Sequence, residues 1–176
     1  MIRLSPSLVM MAQRGATEQE IIDSYFHLTN FSNKAIERGN KFEKDFVNEV
    51  IKTHKLPQFG DVVSEPVYHN KIVCDYDDEI SLSGELDLYD AHNGIIYELK
   101  SSINNSSYFF NTIQPYWYWY QKIKKGEYVS EVQVIRQDPL TKRLDRSILL
   151  EPDLERVEKA IDSNKDYIIN CIQNGI

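Results

Sequence analysis

The chain has 176 residues, about one domain's length, and its 41% hydrophobic and 27% charged residues are ordinary for a chain that folds around its own core. Lys plus Arg number 20 against 27 for Asp plus Glu, a formal net charge of -7. That excludes a generally basic DNA-coating protein, but not an enzyme that meets nucleic acid along one local groove. Two cysteines, Cys74 and Cys171, cannot build a disulfide framework or a four-thiolate metal site. The opening MIRLSPSLVMMAQRG has too short an apolar run for a signal peptide, and no run reaches the roughly 18 apolar residues of a membrane span. The expectation is a soluble, cytoplasmic protein with residues 1–176 in a single domain and no membrane partner.

In chain order, Ser5 to Arg14 reads as a short first helix, and Thr17 caps a second that starts in TEQEIIDSYFHL. Asn33 caps a longer helix, NKAIERGNKFEKDFVNEVIKTH, which ends before Pro57. Three strand-like pieces follow: EPVYHNKIV, ISLSGELDLYD and GIIYELKSS. The aromatic stretch SYFFNTIQPYWYWYQKIKK is helical for most of its length, its rings read as core rather than as a base-stacking platform. Strands EYVSEVQVIRQ and KRLDRSILLE flank the turn signal Asp138-Pro139, and a helix from Pro152 to Cys171 closes the chain. This order implies an α/β domain with a central mixed β-sheet flanked by helices.

Chemistry concentrates on the middle strands. In ISLSGELDLYD, Ile80, Leu82, Leu86 and Leu88 alternate with Ser83, Glu85 and Asp87; in the next strand Ile95, Tyr97 and Leu99 alternate with Ile96, Glu98 and Lys100. Asn93-Gly94 between them is a hairpin signal. A two-residue loop would set Asp87 against Lys100, and a four-residue loop, Ala91 to Gly94, would set Asp87 against Glu98. Either register puts Asp87, Glu98 and Lys100 on one sheet face. An exposed cross-strand ion pair is the plain alternative.

On the long helix, Ile36, Phe42, Phe46, Val47, Val50 and Ile51 form an apolar stripe at about 100° per residue, and Glu43 projects near its middle. Gly39, one turn earlier, leaves room there. A carboxylate turned toward a core interface is costly unless paired or metal-bound. With Asp87 and Glu98 it would suit a hard divalent cation such as Mg²⁺. Gln114 and Tyr118, at i,i+4, share one helical face.

At these residues the sequence resembles the PD-(D/E)xK nuclease superfamily, in its RecB-like exonuclease branch. The matching pieces, in the family's order, are Gly39-Asn-Lys-Phe-Glu43, Gly84-Glu-Leu-Asp87, Glu98-Leu-Lys100 and Gln114-Pro-Tyr-Trp-Tyr118, after an opening Ser5-Pro6-Ser7. Three features depart from the pattern. Pro115 means the Gln114 helix kinks or starts there. Position 43 is Glu where many members have His. Two distant cysteines argue against the iron–sulfur cluster of some relatives.

The resemblance implies a restriction-endonuclease-like core and a metal-dependent deoxyribonuclease, an exonuclease or a DNA repair or recombination nuclease. Its alternative is a catalytically idle nuclease-fold module that binds DNA or protein. Glu43, Asp87, Glu98 and the Leu99 carbonyl would hold Mg²⁺ or Mn²⁺. Lys100 would orient water and neutralise phosphate, with Gln114 and Tyr118 positioning it. Arg38, Lys41, Ser101, Lys122 and Lys124 are the expected DNA contacts, and a second copy of the chain or a recombination protein the expected protein partner.

Overall fold

The computed structural model describes residues 1–27 and 33–176. Helix α1 (Pro6–Gln13) starts behind Ser5, whose hydroxyl accepts the Leu8 N–H, with Pro6 in the first turn where its missing N–H costs nothing. Helix α2 (Glu18–Tyr25) carries a full capping box between Thr17 and Glu20. Leu28, the last residue of the segment read as this helix, lies outside the described residues. Helix α3 (Lys34–Thr53) is capped by Asn33 and stops where His54 turns left-handed.

The strands are β1 (Ile2–Leu4), β2 (Pro66–Asp75), β3 (Ile80–Asp90), β4 (Ile95–Ser101), β5 (Glu131–Gln137) and β6 (Leu144–Leu149). The three residues of β1 are too few to carry a sequence pattern, and the reading above missed them. The aromatic stretch divides into a 3-10 turn (Ser106–Asn111) and helix α4 (Gln114–Lys124), which starts at Gln114 so that Pro115 falls in its first turn. Helix α5 (Leu154–Asn174) closes the fold. Among the described residues no helix is long and apolar enough to cross a membrane.

All six strands form one mixed sheet: β1 pairs with β3 and β4 with β5 in parallel, while β2–β3, β3–β4 and β5–β6 are antiparallel. Helices cover both faces. On one, Phe42, Phe46, Val47 and Val50 of α3 pack against Leu88, Tyr97, Leu99 and Ile135. On the other, α1, α2, α4 and α5 share a larger core built on Trp117, Tyr120, Leu82, Leu86 and Ile96. The expected α/β class, a central mixed sheet flanked by helices, is the one observed.

Two readings need correction. Ile36 and Ile51 of the expected stripe are each 40% exposed, lying near the two ends of a 20-residue helix about 30 Å long whose buried residues run from Phe42 to Val50. The alternation of β3 also fails: Leu82 and Leu86 enter one core and Leu88 the other. The inversion falls at Asp87. There the β2–β3 ladder pairs Tyr68 with Leu88 and Asn70 with Leu86 but skips a rung, and His69 adopts a left-handed φ of 50°. Such local disruption re-aims side chains.

Candidate active site

The β3–β4 connection is the four-residue loop, Ala91 to Gly94, with Leu88 opposite Tyr97 and Asp90 opposite Ile95. Asp90 builds it. Its buried carboxylate accepts the N–H groups of Ser64, Glu65, His92 and Asn93. One rung further, this register sets Asp87 opposite Glu98.

The ladder does not continue to that rung. β2 follows one edge of β3 along nearly its whole length, whereas on the other edge β1 pairs only residues 80–82 and β4 only 88–90. Between them lies a gap in the sheet. Side chains of α4 reach backbone carbonyls beside it: Trp117 Nε1 donates to Ser83 O at 3.1 Å, and Gln121 Nε2 to Leu82 O at 3.1 Å and Ile72 O at 3.3 Å. Gly84 is required here, since a Cβ on it would come within 2.9 Å of the Tyr118 ring. At the fork, Asp87 Oδ2 accepts the Leu99 N–H at 2.8 Å in place of a ladder bond.

Around this fork the charges of Asp87 and Lys100 act on both Glu43 and Glu98. Glu98 is 1% exposed, and neither carboxylate oxygen has a hydrogen-bond partner among the described residues. Burial pushes its carboxyl up to about 7, with Lys100 opposing the rise and Asp87 adding to it. Burial also raises the Asp87 carboxyl, against the lowering effect of the Leu99 N–H and Lys100. The Glu43 carboxyl is raised by partial burial and by Asp87, with His69 and Lys100 acting the other way. Lys100 Nζ donates to Gln114 Oε1 at 2.8 Å, and Gln114 Nε2 donates to the buried Tyr118 hydroxyl at 2.9 Å. Pro115 does not disturb this relay, because the helix begins at Gln114.

The proposed DNA contacts separate. Arg38 Nε donates to Ser101 Oγ at 3.0 Å, joining α3 to the end of β4 beside Lys100. Lys41 is exposed and pairs with Asp45. Lys122 does not fit its expected role: it is 2% exposed, bound to Glu127 and Asn70, with its ammonium 4.0 Å over the Tyr89 ring. Lys124 is exposed against Tyr120 near the far end of α4, ten residues or about 15 Å along the helix from Gln114.

Sequence reasoning missed His69 and Glu85. His69 Nδ1 stands 3.0 Å from Glu85 Oε1 and 3.6 Å from Glu43 Oε1. Glu85 was legible one residue after Gly84, but nothing in the spacing of β2 announces His69. Gly39 opens onto free space, a Cβ there meeting no described atom within 4 Å. Among the described residues no three His, Cys, Asp or Glu side chains converge closely enough to hold a metal ion by themselves. The arrangement is an open fork of carboxylates with an orphaned, buried Glu98 at its base.

No family model matches the chain, and no curated protein matches it. Its fold is nevertheless shared with solved structures. The protein SSO0001 superposes with a TM-score of 0.62 at 9% identity, over 95% of this chain and 77% of that one. A phage-related exonuclease from Haemophilus somnus 129PT superposes with a TM-score of 0.52 at 14% identity, over 97% of this chain and 79% of the other. At these identities the likeness is one of fold.

Proposed function

We propose that this protein is a metal-dependent deoxyribonuclease that hydrolyses DNA phosphodiester bonds, an exonuclease or a DNA repair or recombination nuclease. One observation carries the reading: the Glu98 carboxylate is buried with both oxygens unpartnered, within electrostatic reach of Asp87 and Lys100. A buried carboxylate without partners is costly, and a bound cation removes that cost. The fold likeness to a phage-related exonuclease supports the same class.

The donor set fits Mg²⁺ or Mn²⁺, being all oxygen: Glu43, Asp87, Glu98 and the Leu99 carbonyl. When bound, such a cation supplies charge stabilisation at the phosphate and lowers the pKa of a coordinated water. The chain does the rest. Asp87 is fixed by Oδ2 accepting the Leu99 N–H, which leaves Oδ1 outside that bond. Gln114, itself fixed by Tyr118, holds the Lys100 ammonium beside the carboxylates, where it binds phosphate oxygen and orients water. Arg38 and Ser101 offer the next phosphate a donor pair. Without the cation the same carboxylates repel DNA, so an acidic chain is compatible with this substrate. The partners proposed are DNA and, for assembly, a second copy or a recombination protein.

The test is incubation of wild type and Glu98→Gln with DNA in Mg²⁺ and in EDTA. Cleavage by wild type in Mg²⁺ alone is expected. Equal cleavage by Glu98→Gln, or cleavage in EDTA, would overturn the reading. DNA binding without cleavage in any metal would leave the idle module instead.

A further inference from the structure

We infer that His69 is a positioning residue for the divalent-cation site: its ring, anchored on Glu85, holds the Glu43 carboxylate of α3 toward Asp87 and Glu98. The inference rests on the reading above, that these carboxylates hold a cation. Three observations carry it. First, His69 sits inside a ten-residue strand with φ of 50°, a region uncommon for non-glycine residues, though more often taken by histidine than by most, and foreign to regular strand. Strained backbone inside regular structure points to function when the surrounding contacts do not otherwise need it. Here they do not: the side chain is 55% exposed and belongs to neither core. Second, the strain falls at the rung opposite Asp87, which the β2–β3 ladder skips, and there the faces of β3 interchange. Third, Nδ1 hydrogen-bonds Glu85 Oε1 at 3.0 Å and stands 3.6 Å from Glu43 Oε1, beyond hydrogen-bond length but close enough to set that carboxylate beside the ring, so His69 lies between carboxylates on two different elements.

The physical role follows. Glu43 stands on a helix packed over the sheet, with Asp87 and Glu85 nearby as like charges that disfavour its ionised form. A donor between Glu43 and Glu85 holds both without occupying Glu98 or Lys100. Loss of a hydrogen-bond partner that orients a ligating carboxylate typically costs about 10- to 100-fold in metal affinity.

The experiment is titration of Mn²⁺, followed by calorimetry, into wild type, His69→Gly and His69→Asn, with thermal melts of each in EDTA. Glycine accepts the left-handed backbone and removes the ring. Asparagine also tolerates that backbone, and its side-chain amide nitrogen occupies the place of Nδ1. Expected are a 10- to 100-fold weaker Mn²⁺ affinity for His69→Gly, unchanged melting in EDTA, and affinity restored to within about threefold by His69→Asn, a single donor being worth the difference. Wild-type affinity in His69→Gly would overturn the inference, and so would a His69→Asn as weak as glycine. A lowered melt of His69→Gly in EDTA would assign His69 a structural role and overturn it equally. Failure of wild type to bind Mn²⁺ is a different result, which removes the cation site itself.

Discussion

Glu98 concentrates the energetic tension of the molecule. An ordinary glutamate titrates near 4.5, and burial moves this one to about 7. The sign of the linkage is fixed: the unfolded chain gives up this proton first, so the penalty is absent below pH 4.5, grows as pH rises, and is complete above about 7. A shift of that size corresponds to about 3 kcal/mol. Melts in EDTA should therefore show Glu98→Gln more stable than wild type at pH 8, with the gap closing toward pH 5; a gap independent of pH would contradict this. Mg²⁺ should raise the melting temperature of wild type and leave Glu98→Gln nearly unmoved. Asp87→Asn is expected to keep the fold, since its side-chain carbonyl can still accept the Leu99 N–H, and to abolish cleavage. It should also raise stability in EDTA by relieving repulsion; a wild type more stable than Asp87→Asn in EDTA would refute that argument.

Between elements, the relay from Tyr118 through Gln114 to Lys100 ties α4 to β4. Tyr118→Phe removes the hydroxyl that fixes Gln114 and should lower kcat about 10-fold or more with little change in KM, as loss of positioning does. Gly84→Ala should cost more, because its methyl group meets both Tyr118 and Gln121. Kinetics of the two variants decide this; an active Gly84→Ala would mean the α4–β3 approach is looser than described. The same elements show what sequence makes legible. Caps and strand pairs follow from local rules, and both hairpin registers could be written down. What selects the four-residue loop is the Asp90 carboxylate reaching back to Ser64 and Glu65, a contact between residues 25 or more apart. The inversion of β3 was illegible for a like reason: it depends on one left-handed residue in the neighbouring strand. Lys122 misled because a lysine late in an amphipathic helix reads as exposed, whereas Gly126, at φ of 71°, turns the chain so that Glu127 closes over it.

For the whole molecule, charge and shape set the substrate. With a net charge of -7, the proposed DNA substrate would have to be attracted by local groups around the fork. Arg38→Ala should reduce the salt slope of DNA binding by about one, the signature of a lost phosphate contact, whereas Lys122→Met should leave the slope unchanged and lower stability. Equal slopes for the two variants would show that Arg38 touches no phosphate. The described chain shows no zinc finger and no basic helix suited to reading a major groove, and most α4 aromatics are buried in the core. Linear DNA should therefore be degraded and closed circles spared at one fixed moderate salt. Discrete fragments from closed circular duplex would mean a sequence-reading endonuclease. The most direct test of the central claim is a crystal structure soaked in Mn²⁺, with the metal located by its anomalous scattering. The account predicts Mn²⁺ held by oxygens of Asp87 and Glu98 at about 2.0–2.6 Å, with Glu43 beside it. Metal elsewhere, or these oxygens more than about 6 Å apart and so beyond shared coordination, would contradict it.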